Sequence, residues 1–175
     1  GLDSVAMYSP LANSDYFDKT GGLGIVDDSL GIKPPVTDDL YNKIGLIRHL
    51  NVKYIISAAE LNSPSLVYLA KEEGIYLYTV KDYLPRLFFS DASSGIVRID
   101  KYNSGLLEAS LETPKEGLLV FSEKFYPGWQ VYIDGKRAEI ERYMDILQAV
   151  KVPSAARKII FRYEPLRLKM GKDIK

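Results

Sequence analysis

Short segments of alternating apolar and polar residues fill the chain from Gly95 onward. The segments read GIVRIDKY, GLLEASLE, GLLVFSE, WQVYID, KRAEIE, ILQAVKV and RKIIFRY, and turn-forming sequences such as Asn-Ser-Gly, Pro-Gly and Asp-Gly lie between them. Turns at this spacing are typical of an antiparallel β-sandwich or an open barrel. We therefore predict a sandwich-like unit from about Gly95 to Tyr163.

Two of these segments differ in the faces that they leave polar. Leu107, Ala109 and Leu111 alternate with charged or hydroxyl residues, which predicts a strand with one solvent-facing side. Leu118–Phe121, in contrast, has no polar position. We expect it to be a central strand that is covered on both faces.

The stretch TDDLYNKIGLIRHLNV, residues 37–52, has the periodicity of one helix. Apolar residues fall at i, i+4 and i+7, and they are Leu40, Ile44 and Ile47. Thr37 or Asp38 can cap its start, where acidic residues also favour the helix dipole. Gly45 weakens the helix by about 1 kcal/mol relative to alanine.

Strand signals follow this helix directly. VKYIISA predicts a strand, and SLVYLAKEEGIYLYTV predicts a hairpin that turns at Glu73-Gly74. Leu66 to Lys71 could alternatively form a short helix. LPRLFFS predicts another short strand after Pro85.

These patterns predict an α+β fold that is mainly β. We divide the chain into a small α/β portion with a loop-rich start (1–94), an antiparallel β-sandwich-like unit (95–166) and a tail (167–175). The loop-rich start contains Gly21, Gly22 and Gly24, which lack the G-x-x-x-x-G-K-[ST] pattern of a phosphate-binding loop.

The densest stretch of aromatic residues surrounds an Asp134-Gly135 pair. Asp-Gly between alternating segments is the strongest short hairpin signal, because a type I′ turn needs positive φ at both central residues. A two-residue loop makes Ile133 face Lys136, Val131 face Ala138 and Trp129 face Ile140. These apolar residues then share one face, and we expect Trp129 to be largely buried as part of the framework.

Composition narrows the classes of function. The chain has 175 residues, 46% hydrophobic and 26% charged, with 23 basic and 23 acidic side chains. A formal net charge of zero disfavours a general nucleic-acid binder. No apolar run reaches the roughly 18 residues of a membrane-spanning helix. Because the chain opens on Gly1 instead of Met, we expect the natural protein to be longer.

Catalytic and metal-binding patterns are scarce. The chain has no Cys and one His, His49, and it lacks a G-x-S-x-G motif or a calcium-binding loop motif. The adjacent pairs Asp27-Asp28 and Asp38-Asp39 would point to opposite faces of a strand, and the second pair suits a helix start. A carboxylate pair for glycoside hydrolysis stays open as an alternative, since spatial separation is not readable from sequence. We assign no catalytic, cofactor-binding or metal-binding residue, and we expect no cofactor.

The stretch FYPGWQVYIDGK, with the later ILQAVKVP and IIFRYEP, resembles the C-terminal extracytoplasmic region of YfhO-type bacterial membrane proteins. These are multi-spanning, glycosyltransferase-C-like proteins related to enzymes that use lipid-linked sugar donors. The matching residues are Tyr126, Pro127, Gly128, Trp129, Asp134, Gly135, Tyr163 and Pro165. The likeness extends over roughly residues 45 to 170 and includes Leu-Pro-Arg at 84–86. It departs at Thr79, where the family has Asn, and at Pro153–Arg157, where the family's loop carries Gly and His.

The resemblance implies a non-catalytic domain on the extracytoplasmic face of the cell membrane. Such a domain would position a glycan or lipid-linked sugar, or brace the membrane part of a glycosyltransferase-like parent. The parent's catalytic acidic residues would lie in loops that this chain does not contain. The alternative is a free-standing β-sandwich module that binds carbohydrate or protein. Tyr126, Tyr132 and Arg137 are our candidates for a ligand or partner surface.

The end of the chain, YEPLRLKMGKDIK, changes character at Pro165, which cannot donate to a strand ladder. Leu166, Leu168 and Met170 alternate with basic residues. In the resembling family this exit leads to a membrane helix. We therefore expect the tail to run toward a membrane span, with Tyr163 near the bilayer and both chain ends on the same side of the domain.

Overall fold

The computed structural model describes residue 19 and residues 37–92, 95–112 and 116–165. The expectations for the loop-rich start, the capping side chains of Thr37 and Asp38, the position of both chain ends and the tail 167–175 lie outside the described residues. The chain divides into two compact units between Pro85 and Arg86.

Within residues 37–85, the first unit has two short helices and a three-stranded antiparallel sheet. Its elements are α1 (Thr37–Asn42), α2 (Ile44–His49), β1 (Tyr54–Ser57), β2 (Leu66–Glu72) and β3 (Ile75–Val80), with β3 in the centre of the sheet. Its core is formed by Ile47, Leu61, Leu66, Tyr78 and Val80, against which Leu40 and Ile44 pack. The apolar stripe predicted for the helix therefore does face a core.

The single helix predicted over residues 37–52 is wrong, because two short helices occupy the stretch. Lys43 stands between them with φ −100° and ψ 10°. Asn42 and Gly45 flank this break, and both have low helix propensity. The backbone N–H of Ile47 still donates to the Lys43 carbonyl at 2.9 Å, so the chain keeps its direction across the break.

The hairpin predicted at Glu73-Gly74 is confirmed. Both residues have positive φ, 48° and 83°, and Glu72 pairs with Ile75 directly across the turn. The residues that could alternatively have formed a helix belong to β2. The neighbouring strand β3 supplies the hydrogen-bonding partner that settles this choice.

The second unit contains two antiparallel sheets. One has four strands in the order β10-β11-β7-β4, and the other has five in the order β5-β6-β12-β8-β9. The strand bounds are β4 (Leu87–Phe89), β5 (Ile96–Asn103), β6 (Leu106–Glu112), β7 (Gly117–Lys124), β8 (Trp129–Ile133), β9 (Lys136–Ala138), β10 (Glu141–Tyr143), β11 (Leu147–Val152) and β12 (Lys158–Tyr163).

An apolar core is built from the inner faces of both sheets. The four-stranded sheet contributes Leu119, Phe121 and Val150, and the five-stranded sheet contributes Leu107 and Phe161, each at most 1% exposed. Two sheets that share one core form a β-sandwich-like unit. The predicted mainly β, α+β fold class is thus confirmed.

The strand β7 behaves as the apolar run LLVF predicted. It pairs with β11 on one side and β4 on the other, and Leu119, Val120 and Phe121 are fully buried. Because β4 pairs with β7, residues 87–89 belong to the sandwich. The division between the units therefore precedes residue 94, which we had taken as the end of the first portion.

The segment KRAEIE does not form one strand, as its alternation suggested. The strand β9 ends at Ala138, and Glu141 begins β10 in the other sheet. The next turn has positive φ at Met144 and Asp145, 50° and 68°, but it carries no glycine that would reveal it. The predicted pairing of Trp129 with Ile140 is therefore replaced by a crossing between the sheets.

Among the helices of the described residues, none has the length and apolar character that a bilayer crossing requires.

Candidate functional site

The β8–β9 hairpin forms at the predicted turn. Asp134 and Gly135 have φ of 48° and 79°, as a type I′ turn requires. Ile133 pairs with Lys136 and Val131 pairs with Ala138, in the predicted register. The turn chemistry of the sequence therefore fixes which face of β8 meets the core.

The side chain of Asp134 has a second role beyond the turn. Its carboxylate accepts hydrogen bonds from the backbone N–H of Lys158 at 2.8 Å and of Arg157 at 3.1 Å. Arg157 is the last residue of the loop Pro153–Arg157, and Lys158 is the first residue of β12. The carboxylate therefore holds that loop against the hairpin, and it serves as framework.

The Tyr-Pro-Gly-Trp stretch packs against the end of the same strand, β12. Gly128 has φ of 107°, and a β-carbon there would lie 2.9 Å from Tyr163 Cε2. The Gly128 carbonyl accepts a hydrogen bond from the Glu164 backbone N–H at 2.7 Å. The Trp129 and Tyr163 rings are 5.4 Å apart. Gly128, Trp129 and Tyr163, which are distant along the chain, thus form one cluster.

Trp129 is partly buried and packs against the apolar core, which agrees with the expectation that it would belong to the framework. Its ring meets Phe121 edge to face, with the centroids 5.6 Å apart, and it packs against the apolar core. It stands at the first position of β8, where the two sheets separate, and the other part of its surface lines a cavity. Trp129 is therefore both a core residue and a cavity wall.

The cavity has a volume of about 490 Å³ and lies at one end of the sandwich. Two segments that cross between the sheets border it, residues 125–128 from β7 to β8 and residues 139–140 from β9 to β10. The remaining lining residues are Trp129, Gln130, Arg137, Ala138 and Gln148. The volume falls within the 300–1,000 Å³ range of small-ligand sites, and the walls present polar and apolar surface in similar amounts.

Aromatic and charged groups occupy different parts of this cavity. Phe125, Tyr126 and Trp129 provide ring faces or edges, and Tyr126 is 38% exposed. Arg137 and Glu139 are exposed and lie at the rim. Gln148 is fully buried, with 0% exposure. The cavity therefore offers apolar ring surface, a charged entrance and one buried amide.

The structure brings two of the three predicted surface residues together. Tyr126 and Arg137 both line the cavity. Tyr132 does not line it, but its hydroxyl donates a 2.8 Å hydrogen bond to Gln130 Oε1, and Gln130 is a lining residue. Tyr132 therefore orients a cavity residue from the outer face of the five-stranded sheet.

Sequence reasoning missed Gln148. It stands within the apolar run of ILQAVKV, at a position that shares the inward face of Val150 and Val152. A lone amide on the apolar side of a strand is the signal that could have singled it out, because buried polar groups are costly unless they are hydrogen-bonded.

Other candidate chemistry stays apart from the cavity. Nδ1 of His49 lies 2.7 Å from the Gly45 carbonyl oxygen, at the end of α2 in the first unit. The described residues include no group of three or more His, Asp or Glu side chains that could hold a metal ion. The cavity is thus the site from which a function can be argued.

No protein-family model, curated protein or solved structure matches this chain.

Proposed function

We propose that this chain is a non-catalytic glycan-binding domain with a β-sandwich fold. The observation that carries the proposal is the cavity of about 490 Å³, in which the rings of Tyr126 and Trp129 stand beside polar side chains. The apolar faces of sugar rings pack on aromatic rings, and their hydroxyl groups need hydrogen-bonding partners. Aromatic side chains provide large contact area with a polar handle.

The polar groups of the cavity suit a sugar. A hydroxyl group both donates and accepts hydrogen bonds, so it can pair with amide, guanidinium and carboxylate groups alike. Gln130, Arg137, Glu139 and Gln148 supply these three kinds of group around one space. Their variety favours a ligand with many hydroxyl groups over a purely apolar or purely anionic one.

We further propose that the domain is the extracytoplasmic part of a multi-spanning, glycosyltransferase-C-like protein. The support is the resemblance to YfhO-type proteins, whose motif residues Tyr126, Gly128, Trp129 and Tyr163 lie together beside the cavity. In that setting the domain would hold a glycan, free or lipid-linked, near the membrane part that carries the chemistry. A free-standing carbohydrate-binding module is the second candidate, and the cavity supports it equally.

The proposed glycan binding is tested on the purified chain by saturation-transfer NMR and calorimetry. The ligands are trisaccharides of glucose, N-acetylglucosamine and glucuronic acid. We expect at least one to bind, and Arg137→Ala to weaken that binding. Lys136→Ala is the matched control, since Lys136 neighbours Arg137 but does not line the cavity. Absence of binding to every sugar, or equal weakening by both substitutions, would contradict the proposal.

The proposed extracytoplasmic location is tested on the native gene product. The chain has no Cys, so Lys136→Cys in the exposed hairpin introduces a labelling site into this domain. We expect a membrane-impermeant maleimide to label that cysteine in intact cells. The same domain should stay unlabelled in the protein that lacks the introduced cysteine. Labelling only after the cells are lysed, or a gene without membrane-spanning segments, would leave the free-standing module as the correct description.

A further inference from the structure

Gln148 is the one buried polar residue that the described part of the chain contains. It is 0% exposed and lies at the second position of β11, where it lines the cavity. Its neighbours along the strand, Leu147 and Ala149, are also fully buried. A hydrophobic side chain of similar size would suit such a position better if packing alone mattered.

The side-chain nitrogen of Gln148 has a protein partner. Nε2 donates a 3.0 Å hydrogen bond to the Lys124 carbonyl. Because a carbonyl oxygen only accepts hydrogen bonds, the nitrogen must face Lys124, and this contact determines which way the amide is turned. The Oε1 atom is therefore the end of the amide that remains for another partner.

A bulge places the two residues in this arrangement. In the pairing of β7 with β11, Leu147 lies opposite Lys124 but Gln148 lies opposite Phe121, so β7 contains two extra residues, Ser122 and Glu123, at this point. The bulged strand bends where the cavity begins, and bulges commonly re-aim groups next to binding sites.

The Oε1 atom of Gln148 is buried and has no hydrogen-bond partner among the described residues. Leaving a buried acceptor unpaired typically costs about 1–3 kcal/mol. Gln148 is destabilising in this way and also lines a cavity of ligand size, so its presence needs a functional explanation.

We infer that Gln148 determines the specificity of this cavity by accepting a hydrogen bond from a ligand group, which reaches the fully buried Oε1 through a small shift of the cavity wall. The inference rests on the proposed glycan-binding function. An amide oxygen accepts and cannot donate, so the group that it binds must carry an N–H or O–H. Sugar hydroxyl and acetamido groups meet this requirement, whereas ionised carboxylate, sulfate and phosphate groups do not. Anionic groups of a glycan would instead bind at the rim, beside Arg137.

The experiment compares Gln148→Met with the wild-type chain, using the trisaccharide of the panel above that binds the wild type most tightly. Methionine is unbranched and similar in length, so it fills the position without a hydrogen-bonding oxygen. We expect binding to weaken about tenfold, as for the loss of one hydrogen bond. Lys151→Met is the control on the same strand, because Lys151 is exposed and does not line the cavity.

A methylated ligand separates a direct contact from an indirect one. If Oε1 accepts from one sugar donor, O-methylation of that donor weakens binding to the wild type but has little effect on Gln148→Met. Each sugar hydroxyl is methylated in turn to find it. A thermal unfolding curve establishes that Gln148→Met is folded, and Gln148→Glu, which retains an acceptor, provides the second variant.

The outcomes separate this inference from the function on which it rests. If the wild type binds no sugar, the proposed function fails and the inference fails with it. If Gln148→Met binds as tightly as the wild type, glycan binding stands but Oε1 serves only water, and the inference is overturned. Equal losses for every methylated ligand in both proteins would overturn it as well.

Discussion

Asp134 and Lys158 are joined by two reciprocal hydrogen bonds. The Asp134 backbone N–H donates to the Lys158 carbonyl at 2.9 Å, and the Lys158 N–H donates to Asp134 Oδ1 at 2.8 Å. The second contact uses a side-chain oxygen of a residue whose φ of 48° also forms the turn. One acidic residue thus joins the β8–β9 hairpin to the last strand of the sandwich.

This contact explains what the Asp134 side chain does in the structure. The Asp134 carboxylate accepts from backbone N–H groups, so it is committed to holding the chain and does not face the cavity. The function therefore has to be sought at the cavity, which Trp129 and Arg137 both line.

Substitutions of Asp134 should distinguish the stability that comes from the turn from the stability that comes from the carboxylate. Asp134→Gly keeps a residue that tolerates positive φ but removes both acceptor oxygens, and we expect it to lower the free energy of unfolding by about 1–2 kcal/mol. Asp134→Asn keeps the turn and one acceptor oxygen and should cost less. Urea denaturation measures both, and equal stability of Asp134→Gly and the wild type would show that the contacts contribute nothing.

Gly128→Ala should be among the most damaging small substitutions in the sandwich. Alanine at this position must adopt a φ of 107°. Its β-carbon would lie 2.9 Å from the Tyr163 ring and 3.2 Å from Pro165 Cα. We expect a loss of about 2–4 kcal/mol from strain and overpacking together. Gly135→Ala is the control, since its φ is 79° but no atom lies within 4 Å of the added carbon. Thermal unfolding that ranks the two variants equally would contradict the steric part of this prediction.

Trp129→Ala should destabilise the sandwich less than truncation of a fully buried aromatic residue. We expect a cost of about 2–3 kcal/mol, because the ring is only partly buried and also lines the cavity. Phe121→Ala, at a position with 0% exposure in contact with the same ring, should cost about 3–5 kcal/mol. Chemical denaturation of both variants gives the order, and a larger loss for Trp129→Ala would mean that its ring carries more of the core.

Acid should weaken the outer face of the five-stranded sheet. A hydrogen bond from Lys158, whose Nζ lies 2.9 Å from the carboxylate, lowers the pKa of Glu108 below its usual 4.5. Hydrogen bonds from Ser110 and then Arg98 lower the pKa of Asp100 below 3.8. Carboxylates with lowered pKa values stabilise the folded state above their unfolded values, and this contribution is lost as the pH falls through the folded values.

The urea midpoint should therefore fall between about pH 5 and pH 3, and the fall should be smaller in the double variant Asp100→Asn, Glu108→Gln. Both carboxylates are accessible to solvent, so about 1 M salt should also reduce the difference. If acid lowers the urea midpoint equally in the double variant and the wild type, the loss of stability comes from other carboxylates.

Local pattern was enough to predict much of the second unit. The Asp134-Gly135 turn and the alternation of Val131 and Ile133 with polar residues set the hairpin register, because a type I′ turn and a period of two leave one arrangement that buries the apolar face. The apolar run at Leu118–Phe121 likewise required cover on both faces. These features depend on neighbours a few residues apart, which the sequence displays directly.

The order of strands within each sheet was not readable in this way. The last strand, β12, inserts between β6 and β8, although many residues separate it from both along the chain. The crossing at residues 139–140 splits an alternating segment between two sheets. Each arrangement results from the packing of two sheets on a shared core, and local alternation is the same whichever sheet a strand joins.

The cavity itself is a product of the tertiary structure alone. The sequence singled out Tyr126 and Arg137, but it gave no distance between them and Gln148 of β11. The register shift between β7 and β11 places Gln148 opposite Phe121, and Gln148 lines the same cavity as the aromatic residues. The sequence alone determined the turns and apolar faces, because these are local preferences. Tertiary structure decided which polar groups meet around one space, because that depends on how distant strands are brought together.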